Sequence, residues 1–227
     1  MNAVLGWDIG GVNTKAALVV DGQVAAAEGR PFELQRAPSS LVPVLQNLAA
    51  TLVPVSSSVH GAPLPHAVTM TAELSQMFRS KREGVAFVLD AVGQAFPGAD
   101  IAVYTVDGRF LSLAAARDEP LAVAAANWAA TSRVVASRYP NAILVDTGTT
   151  TTDIIPIVGG RVVAEGTTDP DRLASGELVY TGAVRTPTEA MAPYVWIAGR
   201  RYGVSAEGFA LSADVHVWRG DLASHDY

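Results

Sequence analysis

The stretch Gly6-Trp7-Asp8-Ile9-Gly10-Gly11-Val12-Asn13-Thr14-Lys15 decides the fold, because the chain carries a second version of it. That version is Val145-Asp146-Thr147-Gly148-Thr149-Thr150-Thr151-Thr152-Asp153. At an offset of 138, Asp8 meets Asp146, Gly10 meets Gly148 and Thr14 meets Thr152. The match continues with Val20 on Val158, Gly22 on Gly160, Val24 on Val162 and Ala26 on Ala164, seven identities in a 21-residue window. Each version reads as strand, hydroxyl- and glycine-rich turn, strand, tight turn and strand. Asp21-Gly22 and Gly159-Gly160 are the tight turns, of the kind that close two-residue hairpins. Self-similarity with the aspartates, glycines and turns all in register indicates an internal duplication.

Working outward, strands are predicted over 4–8, 14–20 and 23–27. Leu41, Leu45, Leu48 and Leu52 share one face of a helix. A Ser-, Pro- and Gly-rich surface loop is expected over 55–65, and a strand over 67–71 that ends in Thr71-Ala72-Glu73. Val85, Val88, Leu89 and Val92 predict a helix over 82–96, stopped by Pro97-Gly98. Short strands follow over 101–105 and 110–113. Glu119-Pro120 is expected to open one alanine-rich helix running to about Tyr139. The second version then gives strands over 142–146, 154–158 and 161–165. From Thr167 the chain is rich in Gly, Pro and Thr, with short strand-like pieces such as 194–197. Residues 213–218 read as an apolar core element. With only nine residues left after it, a C-terminal portion is expected to be missing from this sequence. The expectation is an α/β fold of two related halves, 1–140 and an incomplete 141–227, with a cleft between them.

Composition narrows the function classes. At 227 residues the chain can bury a sizeable core, and 49% hydrophobic with 17% charged residues describes a folded, soluble protein. The net charge of −6 excludes a broad basic footprint for nucleic acid, so a phosphate ligand must be held by backbone amides, a few cations or a metal. The absence of cysteine excludes disulfides, thiolate metal sites and cysteine nucleophiles, and fits a cytoplasmic setting. Neither a signal-peptide pattern nor an apolar run long enough to span a membrane is present. The expected partners are therefore small molecules, with no nucleic acid and no membrane, and homo-oligomer formation is left open.

A tight turn rich in Gly, Thr and Asn aims several N–H groups and hydroxyls at one point, an arrangement that suits phosphate oxygens. An aspartate at the strand end beside it suits Mg²⁺, which takes one or two carboxylates and fills its shell with water and phosphate oxygens. Asp8 and Asp146 are thus the candidate metal ligands. Gly10, Gly11, Asn13, Thr14, Lys15, Gly148, Thr149 and Thr150 are the candidate phosphate cradle. The one charged mismatch, Lys15 against Asp153, gives one copy a cation and the other a further carboxylate, a candidate base or second metal ligand. Glu73 is a candidate acid/base or a turn residue. Asn127 is a candidate hydrogen-bonding partner for substrate, beside a core Trp128. Arg185 is a candidate anion contact, and Arg82 either touches phosphate or begins a solvated helix. The four histidines, His60, His66, His216 and His225, lack metal-ligand spacing and are expected in loops or at the surface.

The stretches 8–15 and 146–153 resemble the two phosphate motifs of the actin, hexokinase and Hsp70 ATPase superfamily. More narrowly, the chain is similar to its hydantoinase/oxoprolinase branch, and within it to the methanofuran-biosynthesis group linked to tetrahydromethanopterin one-carbon metabolism. Met70-Thr-Ala-Glu-Leu74, Lys81-Arg-Glu-Gly-Val85, Ala126-Asn-Trp-Ala129 and Tyr180-Thr-Gly-Ala-Val-Arg-Thr-Pro187 support that likeness. It implies duplicated ribonuclease H-like halves. It also implies a transferase that joins an aminomethylfuran-methyl diphosphate to the phenol of γ-glutamyltyramine, or a tyrosine-derived analogue, and releases pyrophosphate. In that reading Asp8, Lys15, Asp153 and Glu73 are catalytic and Mg²⁺ is the cofactor. The superfamily's Gly-rich adenosine-binding segment is not evident after the second loop, which places ATP behind diphosphate as the ligand. An ATP-dependent kinase or a hydantoinase/oxoprolinase-like hydrolase is the alternative, and a nucleotide-sensing or scaffold protein is a third.

Overall fold

A computed structural model describes residues 2–53 and 64–224, so nearly all of the expected 55–65 loop, with His60 and His225, lies outside the described residues. Two compact units divide the chain, Met1–Thr131 and Ser132–Tyr227, and both mix strands with helices, so the α/β expectation holds.

The first unit is built on a meander of β1 (Ala3–Ile9), β2 (Asn13–Val20) and β3 (Gln23–Pro31). These strands pair antiparallel, and β4 (His66–Met70) and β5 (Ile101–Tyr104) then add parallel to β1. A short β6 (Phe110–Ser112) closes the six-stranded order β3-β2-β1-β4-β5-β6. An antiparallel meander followed by parallel strands is the arrangement of a ribonuclease H-like half. On β1, Leu5, Trp7 and Ile9 alternate onto one buried face, as period-two patterning requires. The core beneath them comes from α1 (Leu41–Leu52) and α2 (Lys81–Ala95). Leu41, Leu45, Leu48 and Leu52 of α1 are buried, with Val85, Val88, Leu89 and Val92 of α2, the faces that the heptad-like spacing predicts. Ser80 caps α2 by accepting the Glu83 N–H, and Arg82 lies exposed in its first turn, the solvated reading.

The expected single helix from Glu119 to Tyr139 is broken. Two helices replace it, α4 (Pro120–Val123) and α5 (Asn127–Arg138), after a short α3 (Leu113–Asp118) that precedes Glu119. The break falls at Ala125, which adopts a left-handed φ of 50° and gives its N–H to Glu73 Oε1 at 2.7 Å. A buried carboxylate accepting that donor outweighs the helix propensity of an alanine run. His66 also departs from expectation. It is buried at the start of β4, stacked with Trp7 and packed on Phe96, and its Nδ1 accepts the Trp7 Nε1–H at 3.0 Å. Burial lowers its pKa to about 4, so the ring is neutral and completes an aromatic core cluster.

In the second unit, β7 (Ala142–Thr147) pairs antiparallel with β8 (Thr152–Val158), and β8 also pairs with β9 (Arg161–Val162) and β10 (Leu178–Val179). A short α6 (Asp169–Ser175), which sequence patterning did not indicate, begins at a Thr168 cap and ends on the left-handed Gly176. A separate hairpin joins β11 (Tyr194–Ile197) to β12 (Arg200–Gly203) through Ala198-Gly199, both at positive φ. The expected core element near the end is instead an amphipathic helix, α7 (Ser212–Arg219). It buries Ser212 and Ala213 at its start and leaves Trp218 87% exposed near its end.

The duplication is visible in the backbone. Asp21 and Gly22 have φ of 47° and 79°, and Gly159 and Gly160 have 58° and 74°, the paired left-handed residues of a tight hairpin turn. Both first turns are closed by the same bond, Gly10 N–H to Asn13 O at 2.9 Å and Gly148 N–H to Thr151 O at 2.8 Å.

Candidate functional site

Each loop emerges where its two strands end. In the first, Asp8 and Lys15 are cross-strand partners, and Lys15 Nζ lies 3.6 Å from Asp8 Oδ2. Gly10 could carry no side chain, since a Cβ would sit 2.5 Å from Asn13 O. A second strand–turn junction supports this loop: Thr71 N–H donates to Ile9 O, and Phe32 and Leu34 N–H groups donate to Val12 and Gly11 carbonyls. Gly10, Gly11 and Asn13 are half-buried and line the turn, whereas Thr14 is fully buried on the inner face of β2.

The second loop has the same frame with different charges. Asp146 and Asp153 face each other across β7 and β8, so two carboxylates stand where the first loop has a carboxylate and an ammonium. The cation comes from α6: Arg172, 2% exposed, places Nη1 2.9 Å from Asp153 Oδ1 and donates from Nη2 to Glu177 O. Burial pushes the Asp153 carboxyl above its ordinary range, Arg172 pulls it back through charge and hydrogen bond, and Asp146 and Asp169 add an upward push. Asp146 is exposed at the end of β7.

Residues 180–186 grip the second loop from outside it. Ala183 N–H donates to Gly148 O, and the Val184 and Arg185 N–H groups both donate to Thr149 O. Thr152 Oγ1 donates to Thr181 O at 2.6 Å, and Gly182 lies so close that a Cβ would come 2.5 Å from Thr150 backbone atoms. Thr186, 2% exposed, holds this segment by accepting from the Gly182 N–H and donating to the Gly182 O, and Ser212 also donates to that carbonyl. Gly182, Thr186 and Arg172 are functional candidates that sequence reasoning missed. Only the Gly-Thr-rich composition of 180–187 hinted at the first two, and nothing in the sequence marks a helix arginine as the partner of Asp153.

Glu73 is 1% exposed in a single 3-10 turn, with its carboxylate on the Ala125 N–H. It therefore orders the bend that precedes Asn127, which opens α5 half-buried beside the buried Trp128. Arg185 is exposed next to Thr149, and Thr150 is exposed at the loop tip. His216 is half-exposed, 3.7 Å from Asp221. Among the described residues no three His, Cys, Asp or Glu side chains gather into a metal cluster. Within each unit the oxygen donors are few, Asp8 at the first loop and the facing Asp146 and Asp153 at the second, which suits a cation that fills its shell with water and phosphate oxygens rather than an all-protein cage. No helix among the described residues is long and apolar enough to cross a membrane.

Comparison with known proteins adds the following. The hydantoinase/oxoprolinase family model matches residues 65–223. A protein of Methanocaldococcus jannaschii, (4-{4-[2-(gamma-L-glutamylamino)ethyl]phenoxymethyl}furan-2-yl)methanamine synthase, is 36% identical over 225 residues, 99% of this chain. A synthase of the same name from Methanococcus vannielii is 41% identical over 87 residues, 38% of this chain and 39% of that protein. The chain spans 64% of the length of the Methanocaldococcus relative. Among solved structures, the ethanolamine utilization protein EutJ from Carboxydothermus hydrogenoformans superposes with a TM-score of 0.43 and 16% identity, over 72% of this chain and 50% of that one.

Proposed function

Because the chain belongs to the hydantoinase/oxoprolinase family, we propose that it is a transferase of methanofuran-type one-carbon carrier biosynthesis. It joins an aminomethylfuran-methyl diphosphate to the phenol of γ-glutamyltyramine or a tyrosine-derived analogue. The observation that carries this reading is the 36% identity extending over 99% of the chain to a synthase of that ether. In the reaction the phenol oxygen forms a bond to the furan methylene carbon. The carbon–oxygen bond to diphosphate breaks, pyrophosphate leaves with the electron pair, and the phenol proton passes to a base. The electron-rich furan shares the positive charge that develops on the methylene.

The chain's residues suit the parts of that step. The Gly11 and Asn13 amides at the first turn and the Thr149 and Thr150 amides and hydroxyls at the second bind diphosphate oxygens, and Lys15 adds a cation. Gly10 and Gly148 instead give the turns their shape through their own N–H bonds to Asn13 and Thr151. Asp8 at the first loop and Asp146 at the second are the carboxylates suited to Mg²⁺, which would stabilise charge on the leaving diphosphate. Asp153 is the base candidate, since burial raises its proton affinity while Arg172 fixes its orientation. Arg185 and Asn127 contact substrate. The protein works in the cytoplasm.

The test is product analysis by mass spectrometry after incubation with the furan diphosphate and the phenol, together with melting shifts for each ligand. The expected result is the ether plus pyrophosphate, and stabilisation by Mg²⁺–pyrophosphate. No ether, with a large shift from Mg²⁺–ATP and none from pyrophosphate, would replace this reading with the ATP-dependent one.

A further inference from the structure

The two turns are braced from behind by different segments. In a trans peptide the C=O and the N–H that follows it point in opposite directions, so fixing a carbonyl oxygen also aims the next amide. In the first turn Gly11 O accepts from the Leu34 N–H and Val12 O from the Phe32 N–H, which aims the Val12 and Asn13 amides the other way. Both donors lie just past the end of β3. In the second turn Gly148 O accepts from the Ala183 N–H, and Thr149 O from the Val184 and Arg185 N–H groups. The Thr149 and Thr150 amides are thereby aimed away from residues 183–185, which follow β10. Consecutive amides turned to one side make a concavity for an anion, and a carbonyl turned into it would repel the same anion.

The brace on the second turn is itself set by one hydroxyl. Gly182 lies against the 149–150 peptide, where a Cβ would come 2.5 Å from Thr150 N and C and 2.6 Å from Thr149 C. Thr186 Oγ1 accepts from the Gly182 N–H at 2.6 Å and donates to Gly182 O at 3.0 Å, so it holds both backbone polar groups of that glycine. Thr186 is 2% exposed and anchored in turn at the start of α7. Its N–H donates to Ser212 Oγ at 3.2 Å, and its carbonyl accepts from the Ser212 N–H at 2.8 Å. Valine would fill the same volume, so what the hydroxyl adds is the setting of Gly182. We propose that Thr186 is a positioning residue for the anion at the second turn: through Gly182 it fixes the 149–150 peptide, so that the Thr149 and Thr150 amides converge on one phosphate group. This rests on the reading that the second turn holds diphosphate oxygens. Thr186 acts only through Gly182, and its effect falls on anion affinity and not on the phenol, which carries no phosphate.

The experiment measures binding of inorganic pyrophosphate with Mg²⁺, and separately of ATP with Mg²⁺, by titration calorimetry well below the melting temperature of each variant. Thr186→Val keeps the side-chain shape and loses both hydroxyl bonds. It should weaken whichever anion the native chain binds by about tenfold, the size of one lost hydrogen bond in a buried setting. Thr186→Ser retains a hydroxyl and should stay within about twofold of native. Ser212→Ala removes one of the two hydroxyls on Gly182 O and keeps the Gly182 N–H bond, and should weaken binding about threefold. In ether formation the loss in Thr186→Val should appear in KM for the diphosphate and leave KM for the phenol unchanged. Native-like anion affinity in Thr186→Val, or in Ser212→Ala where Thr186→Val does not fold, overturns the inference. An equal loss in Thr186→Ser also overturns it and leaves Thr186 a packing residue. A native chain that binds neither anion does the same, because the turn then holds no phosphate. Binding is read without turnover and with two anions, so the ether-forming reaction can fail while the role of Thr186 stands.

Discussion

In the first hairpin Asp8 faces Lys15 across the strand pair. In the second, Asp146 faces Asp153, and the balancing cation, Arg172, arrives from a helix 19 residues further along the chain. The backbone is the same in both, down to the Gly-to-fourth-residue bond that closes each turn. What differs is depth. Lys15 is 65% exposed and its ion pair is screened by water, whereas Arg172 is 2% exposed and also holds the Glu177 carbonyl. A duplicated frame therefore accepts charge from the strand itself where solvent is near, and needs a dedicated buried arginine where it is not.

The strongest way to break this contrast is to remove each cation in turn. Arg172→Met leaves Asp153 buried without its partner and should destabilise the second unit by about 3–5 kcal/mol. Lys15→Met should change stability by no more than about 0.5 kcal/mol, because exposed pairs contribute little. Urea denaturation of both variants checks this, and equal effects would erase the distinction. In the proposed reaction, by contrast, the two loops should count equally. Asp8→Asn and Asp146→Asn should each reduce ether formation about 10²–10³-fold, or about 3–4 kcal/mol in barrier, with near-native melting. A loss in one variant and none in the other would confine the catalytic role to one loop.

A third measurement separates the units by pH. The His66 pKa falls from 6.5 to about 4 in the folded first unit. Because the folded value is depressed, the neutral ring is the favoured form. The stability that depends on it is fully present above pH 6.5 and is lost as pH falls from 6.5 towards 4, by about 3 kcal/mol in total. His66→Gln should flatten that part of the first unit's stability profile, read by Trp7 fluorescence during denaturation. The smallest effect compares the turns. Gly10→Ala puts a Cβ 2.5 Å from Asn13 O and should cost about 1–3 kcal/mol. At Gly148 the equivalent contact is 3.5 Å, so Gly148→Ala should stay within about 0.5 kcal/mol.

Sequence alone carried the duplication, the helices α1 and α2 and both hairpin turns, because each is a local pattern of period, glycine and turn chemistry. The same patterns located the two aspartates and the loop residues around them. It missed what depends on distant partners. The Ala125 break is imposed by Glu73, 52 residues earlier. His66 looks like a loop residue until Trp7 and Phe96 close around it. Arg172 lies in a short helix with no strong periodicity, and the grip of residues 180–186 on the second loop is made largely by backbone groups, which leave no residue-type signature.

Gly84 has a consequence outside its own helix. A Cβ there would fall 2.5 Å from the Glu73 carbonyl oxygen, so the first turn of α2 bears directly on the backbone of the residue whose carboxylate bends the chain at Ala125. Helix, 3-10 turn and bend mesh like gear teeth. Pushing α2 outward by the width of one methyl group would turn Glu73, release Ala125 and swing Asn127, so the setting of that side chain is geared to a glycine 43 positions upstream.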